Sequence, residues 1–142
     1  MAKNHKVEWL EAYSVGSELV DNQHKGLVEM TNALFMGCER RDGMLSFMRT
    51  IQKAVNYAKT HFATEERFMQ KTNYPDYAAH KAEHESFVAE VLKQVKRFED
   101  GVCAPIDFAL FLKDWLLNHI AISDKKYSPY LKNIKDEEFA PT

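Results

Sequence analysis

The stretch FMRTIQKAVNYAKTHFATEERF, residues 47–68, decides the fold of this chain. Along it, apolar residues recur at alternating steps of four and three, which is the spacing of one face of an α-helix. The same face carries His61 and Glu65, four residues apart. Because residues at this spacing differ by only about 40° in direction, the two side chains point toward one target. The stretch therefore predicts an amphipathic helix that brings a histidine and a carboxylate into the core.

Three further segments with the same period flank this helix and predict an all-α fold. Residues that favour helix starts and stops bound each segment. The four predicted helices run from the N-cap Ser17 to about Glu39–Gly43, from about Met44 to Thr72, from about Asp76 to Gly101, and from Pro105 to about Asp124. Because the turns are short, we expect an antiparallel up-down-up-down four-helix bundle. The chain is then one domain, 1–142, with an irregular N-terminal arm (about 1–17), the bundle (about 18–124) and a short C-terminal tail (about 125–142).

Five of the six histidines and two carboxylates follow one ordered pattern on these helices. The pattern reads His24, His61-x3-Glu65, His80-x3-His84 and His119-x4-Asp124. At about 1.5 Å of rise per residue, the candidate ligands on adjacent helices lie within about one turn of the same height. Imidazole suits iron, copper, zinc and nickel, whereas calcium and magnesium prefer oxygen ligands. The pattern therefore predicts a buried pair of transition-metal ions.

The last pair of ligands, His119 and Asp124, departs from the helical spacing. On an ideal α-helix, residues five apart diverge by about 140° and cannot share a metal centre. We therefore predict that the helix loosens, ends or forms a π-type bulge between Ile120 and Ser123.

The ligand count leaves room for a small molecule. If each of two iron ions takes about six ligands, the pair offers about twelve positions. Five imidazoles, two bridging carboxylates and one bridging solvent oxygen leave one position open. An apolar pocket favours a small neutral molecule there, which points to dioxygen. A site built on two Glu-x-x-His motifs would suit high-valent iron better, so irreversible oxidation chemistry is the weaker interpretation.

The chain from about Trp9 to Leu131 resembles the bacterial hemerythrins. The resemblance rests on four motifs, DNQHK at 21–25, HFATEE at 61–66, HKAEH at 80–84 and HIAISDKKY at 119–127. It implies a non-haem, reversible oxygen carrier for storage, transport or delivery, rather than an enzyme. The family's seven ligand positions are all occupied here by the expected residue types.

The same resemblance implies a role for each ligand. One iron ion would be held by His80, His84 and His119. The other, with the open position, would be held by His24 and His61. Both ions would alternate between Fe2+ and Fe3+ and would be bridged by Glu65, Asp124 and an oxo or hydroxo ligand. The dioxygen pocket would be lined at the positions of Leu27, Phe62 and Leu117.

Composition excludes several other classes of function. The 142 residues carry a formal net charge of −2, which gives no large basic field for nucleic acid or an anionic membrane. The N-terminus lacks the apolar run of a signal peptide, and no stretch approaches the roughly 20 apolar residues of a membrane span. Cys38 and Cys103 have no CxxC spacing. They predict free thiols in a reduced, cytoplasmic setting, although a disulfide between them stays open.

Several alternatives stand beside the carrier interpretation. A sensor of dioxygen, nitric oxide or redox state would act through a signalling partner, and a carrier would serve an oxygen-consuming protein partner. A di-iron peroxidase or oxidase is a third class, and a metal-free bundle is disfavoured because unpaired buried charge is costly. Glu66 points about 100° away from Glu65 and is expected beside the centre or toward solvent. His5 lies outside the pattern and is expected to be exposed.

Overall fold

The computed structural model describes residues 6–41, 43–102 and 104–131, and within them the fold is the expected four-helix bundle. A 3-10 turn, Glu11–Tyr13, precedes the bundle in the arm. The helices are α1 (Glu18–Glu39), α2 (Met44–Thr72), α3 (Tyr77–Glu99) and α4 (Pro105–Asn118), followed by a π-helical segment (His119–Asp124) and α5 (Lys125–Leu131). Each of α2, α3 and α4 reverses direction relative to the helix before it. The predictions for His5, for Cys103 and for residues 132–142 concern positions outside the described residues.

The helix ends form at the residues that the sequence indicates. The side chain of Ser17 accepts a hydrogen bond from the backbone N–H of Val20 at 3.3 Å, which caps α1. Asn73 ends α2 in the left-handed region, with φ of 54°. Gly101, with φ of 74°, follows the end of α3 in the same region, where a glycine is favoured because it has no Cβ. These stops keep the turns short and bring the four helices side by side.

The main core fills the half of the bundle near the α1–α2 and α3–α4 turns. It is built on the stripe of α2, where Phe47, Ile51 and Ala58 are each less than 5% exposed. Burying a large apolar side chain contributes roughly 1.5–3 kcal/mol. This half of the bundle therefore supplies stability without using the polar ligands.

A second apolar cluster closes the opposite end of the bundle and explains α5. Where the sequence predicts a tail from about residue 125, the structure continues as a helix to Leu131. Tyr127 and Leu131, four residues apart, are both buried against Phe68 and Met69 of α2. The helix continues because this pair has an apolar surface to cover.

The N-terminal arm packs along α1. The backbone N–H of Val7 donates to Oδ1 of Asn32 at 2.8 Å, and Nδ2 of Asn32 donates back to the carbonyl of Val7 at 2.9 Å. The ring of Trp9 lies 6.5 Å from that of His24. The arm therefore covers the side of the bundle where the first candidate ligand lies.

In the described parts of the chain, no helix is both long and apolar enough to span a membrane. Cys38 is a half-buried free thiol, and burial raises its pKa, as does the charge of Glu39.

Candidate metal centre

All seven predicted ligands lie together inside the bundle. None of their side chains is more than 5% exposed, and four of them, including Glu65, are fully buried. Their ligand atoms fall into two groups, in each of which all atoms lie within 4.8 Å of one another. The groups are Glu65, His80, His84 and His119, and His24, His61, Glu65 and Asp124. Because Glu65 belongs to both groups, it occupies the position of a bridge between two ions.

The oxygens of Glu65 face imidazoles from three helices. Its Oε1 lies 2.6 Å from Nε2 of His61 and 3.0 Å from Nε2 of His119. Nε2 of His84 is 3.6 Å from the same oxygen. His61 belongs to one group, and His84 and His119 belong to the other. The carboxylate of Glu65 therefore lies between the two halves of the centre.

Asp124 is the second carboxylate that lies between the groups. Its Oδ2 lies 2.6 Å from Nε2 of His24 and 3.1 Å from Nε2 of His119. Its Oδ1 lies 3.1 Å from Nε2 of His80. Asp124 therefore contacts histidines of both groups, which is the arrangement that a second bridging ligand requires.

The π-helical segment His119–Asp124 brings Asp124 to this position. In a π-helix the hydrogen bonds run from residue i to i+5, so residues five apart return to nearly the same face. The predicted distortion between Ile120 and Ser123 is confirmed, and of the three forms expected it is the π-type bulge. Without it, Asp124 would point away from the centre.

Several ligand atoms lack the partners that buried polar atoms need. Among the described residues, Oε2 of Glu65, Nε2 of His80, Nε2 of His84 and Oδ1 of Asp124 are buried and make no well-aligned hydrogen bond, although His80 and Asp124 lie 3.1 Å apart. Leaving such a group unsatisfied costs about 1–3 kcal/mol. A cation between them would give each atom a partner, so the donor set fits a metal centre of mixed nitrogen and oxygen ligands.

The charges of the cluster shift the pKa values of its members strongly. Burial alone would lower the pKa of His80, but the close carboxylate oxygens and negative charges of Asp124 and Glu65 outweigh it and raise the pKa to about 9. For His119, burial is likewise outweighed by both carboxylates, and the pKa rises well above its usual value. In turn, the histidines hold the pKa of Glu65 well below its usual range despite its burial. The carboxylates thus attract positive charge to this point of the core.

Further side chains orient the outer nitrogens of the imidazole rings. Nδ1 of His61 donates to Oε1 of Gln23 at 2.9 Å, and Gln23 in turn donates to Thr64 at 3.1 Å. Nδ1 of His84 lies 3.4 Å from Oε2 of Glu66. Such partners fix the direction in which Nε2 points. Glu66 contacts the outer nitrogen of His84 and therefore lies beside the centre, which is one of its two expected positions. It is not a bridging residue.

His119 has a carboxylate as the partner of its outer nitrogen. Nδ1 of His119 donates to Oε1 of Glu83 at 3.1 Å. The hydroxyl of Ser123 donates to the same carboxylate, 2.8 Å from Oε1 and 2.9 Å from Oε2. Burial raises the pKa of Glu83, but the hydrogen bonds from His119 and Ser123 outweigh it and lower the pKa. Glu83 is therefore ionised at neutral pH.

The three residues predicted for a dioxygen pocket differ in their position relative to a small apolar cavity near the centre. Leu27 lines this cavity of about 10 Å³, together with Trp115 and Leu116. Phe62 instead stacks on the ring of His84, with centroids 4.0 Å apart. Leu117 is half-buried and packs against the main core. Apolar side chains thus surround the histidines. Of the three residues predicted for the pocket, Leu27 lines this cavity, whereas Phe62 and Leu117 do not.

Residues 15–131 match the family model described as "Hemerythrin HHE cation binding domain". The chain belongs to the hemerythrin family. A bacteriohemerythrin of Stenotrophomonas maltophilia is 32% identical over 87% of this chain and 80% of its own length. One from Methylococcus capsulatus is 37% identical over 78% of this chain and 85% of its own length.

The similarity extends to a eukaryotic relative and to a solved structure. A hemerythrin-like protein of Naegleria gruberi is 33% identical over 87% of this chain and 92% of its own length. A wild-type hemerythrin structure superimposes with a TM-score of 0.78, at 34% identity, over 88% of this chain and 97% of that chain. The four-helix bundle is therefore the fold of the family as well as of this hemerythrin domain.

Proposed function

We propose that the seven buried ligands hold two iron ions, and that the pair binds dioxygen reversibly for storage, transport or delivery in the cytoplasm. The observation that carries the proposal is the pair of ligand groups that share Glu65, with Asp124 in contact with both. Membership of the hemerythrin family supports iron as the metal. In this assignment, His80, His84 and His119 hold one ion, and His24 and His61 hold the other. Glu65 and Asp124 would bridge the ions, together with a solvent-derived oxo or hydroxo ligand.

The iron pair would supply two electrons and one open coordination position, and the protein supplies the rest. The ligands are at most 5% exposed, so the fold keeps bulk water from the ions. Trp115 stacks on His119, with centroids 4.6 Å apart, and Phe62 stacks on His84. These rings leave little freedom to the imidazoles. An apolar, water-poor surrounding favours a neutral diatomic molecule over a charged substrate.

Binding rather than catalysis is the activity that this site supports. The ligand set has five imidazoles and only two carboxylates, which favours return of the ions to the ferrous state. The described relatives are named as hemerythrins and bacteriohemerythrins, which supports the same choice. We therefore assign Leu27, Phe62 and Leu117 to the surroundings of the open position and not to a substrate site.

An anaerobic oxygen titration with metal analysis tests the proposal. We expect two iron ions per chain and an absorption band that appears with dioxygen and disappears when the gas is removed. Rapid irreversible oxidation without such a band would contradict a carrier. Repeated turnover of a reductant with product release would identify a peroxidase or oxidase. A change in association with a protein partner on exposure to dioxygen or nitric oxide would identify a sensor.

A further inference from the structure

Glu83 is the one carboxylate outside the seven ligands that contacts both halves of the π-helical segment in the described residues. It lies on α3 directly before His84. Its Oε1 accepts from Nδ1 of His119, the first residue of the π segment, at 3.1 Å. It also accepts from the hydroxyl of Ser123, the residue before Asp124, at 2.8 and 2.9 Å. One side chain of α3 therefore connects the two ends of the segment that carries two ligands.

The contact fixes which nitrogen of His119 faces the centre. A neutral imidazole has one N–H donor and one acceptor nitrogen, and the hydrogen bond of one nitrogen determines the state of the other. Once a metal displaces the proton from Nε2, the hydrogen bond from Nδ1 to a carboxylate keeps the remaining proton on Nδ1, and the lone pair of Nε2 points inward. Nε2 lies 3.0 Å from Glu65 and 3.1 Å from Asp124, where a cation would bind.

The partner of His119 differs from that of His61 in its charge and from that of His84 in its distance. Nδ1 of His61 has a neutral amide as its acceptor, at 2.9 Å. Nδ1 of His84 lies 3.4 Å from Glu66, a longer distance than the 3.1 Å between His119 and Glu83. A negatively charged acceptor makes an imidazole a stronger electron donor through its other nitrogen. With Glu83 as its partner, His119 therefore donates more electron density to its metal than it would with a neutral acceptor.

We propose that Glu83 is a positioning residue that sets the tautomer of His119, holds Ser123 so that Asp124 faces the centre, and lowers the reduction potential of the metal pair. The proposal rests on the proposed function, since it needs a metal at the centre. Glu83 does not touch the metal and acts only through His119 and Ser123. In this way an outer carboxylate favours the ferric state of the ion that has no open position.

The first test compares two substitutions that remove the same charge from α3. Glu83→Gln keeps the size of the side chain and one acceptor oxygen, whereas Glu85→Gln changes an exposed residue two positions further along. In the iron-loaded protein, we expect a more positive reduction potential for Glu83→Gln than for wild type. Glu85→Gln should stay close to wild type. Equal shifts in both variants, or no shift in either, would overturn the proposal.

Zinc-loaded protein gives a readout that needs neither iron nor oxygen. Because Zn2+ is diamagnetic and binds nitrogen and oxygen ligands, NMR can observe the ring proton of His119. We expect a slowly exchanging, strongly downfield Nδ1 proton in the wild-type protein, which moves upfield in Glu83→Gln and not in Glu85→Gln. A His119 ring protonated on Nε2 in wild-type protein would refute the proposal without any variant.

Metal affinity separates this inference from the proposed function. Loss of an outer partner of a ligating histidine typically weakens metal binding about 10- to 100-fold, and we expect this range for zinc binding to Glu83→Ala. Ser123→Ala should keep the Nδ1 proton on His119, because the carboxylate remains. Wild-type protein that binds no metal would refute the metal centre itself. Full loading with an unchanged potential and unchanged zinc affinity in the Glu83 variants would refute only the role of Glu83.

Discussion

Nε2 of His119 and Oδ2 of Asp124 lie 3.1 Å apart, although five residues separate them along the chain. The π-helical segment between them accommodates one residue more than an α-helix would. Ile122 is 52% exposed within this segment and does not face the ligands. The extra residue is therefore accommodated on the outer side of the helix.

We expect deletion of Ile122 to convert the segment into α-helix and to keep metal binding. His119 and the aspartate would then be four residues apart and would still share a face. Insertion of one alanine after Ile122 is the matched opposite change, since it rotates the aspartate by about 100°. Zinc per chain, measured after desalting, should stay near two for the deletion and fall for the insertion. Loss of zinc in the deletion variant alone would show that the π geometry itself is required.

Substitution of single ligands should separate the two ions. His61→Ala removes one of only two imidazoles from the ion with the open position, so reversible oxygen binding should fall by at least about tenfold. His84→Ala removes one of three imidazoles from the other ion and should first lower the iron content. Iron analysis and oxygen titration of both variants measure these effects. If either variant keeps two iron ions and wild-type oxygen affinity, the assignment of ligands is wrong.

The sequence predicts the bundle and its ligand layer because both follow from local periodicity. Steps of three and four residues set the buried face of each helix, and short turns set the directions of the helices. Even the π segment is predictable, since His119 and Asp124 can meet only if the helix is distorted. These features need no knowledge of how one helix packs against another.

The outer partners and the cavity are not predictable in this way. Glu83 contacts Ser123, and Gln23 contacts His61, only because the helices have a particular rotation and height relative to each other. A shift of one turn, about 5.4 Å, would break either contact. The continuation of α5 likewise depends on the apolar surface that α2 offers to Tyr127. A signal existed for two of the partners, since Gln23 and Glu83 each directly precede a ligand.

The metal-free protein should lose stability as the pH rises from about 6.5 to about 9. The pKa of His80 is raised from 6.5 to about 9 by Asp124 and Glu65, in spite of burial. A group with a higher pKa in the folded state contributes stability that is complete below its unfolded pKa and is lost as the pH rises through the folded pKa. A shift of this size corresponds to roughly 3 kcal/mol. Urea unfolding of metal-free protein across this range measures the effect.

Zinc loading provides the control for this pH dependence. The metal takes the place of protons on the imidazole nitrogens, so its binding near pH 7.5 should release protons into a weakly buffered solution, about one or more per chain. The zinc-loaded protein should show much less change in unfolding free energy between pH 6.5 and about 9. Equal pH dependence with and without zinc would contradict a direct competition between protons and metal.

Gly26 on α1 leaves space for the ring of Tyr57 on α2. A Cβ added at Gly26 would overlap the hydroxyl and Cζ of Tyr57, so Gly26→Ala forces the ring to move. Tyr57 is half-buried and packs against the main core, and we expect overpacking to cost about 1–2 kcal/mol of unfolding free energy. In a Tyr57→Ala background, the same change should be neutral or should stabilise by up to about 1 kcal/mol, because alanine is the better helix former.

Urea unfolding of the wild type, the two single variants and the double variant gives the coupling energy between the two positions. A coupling energy near zero would show that the ring of Tyr57 does not respond to the added methyl group. Metal content should stay constant throughout the cycle, since neither residue is a ligand.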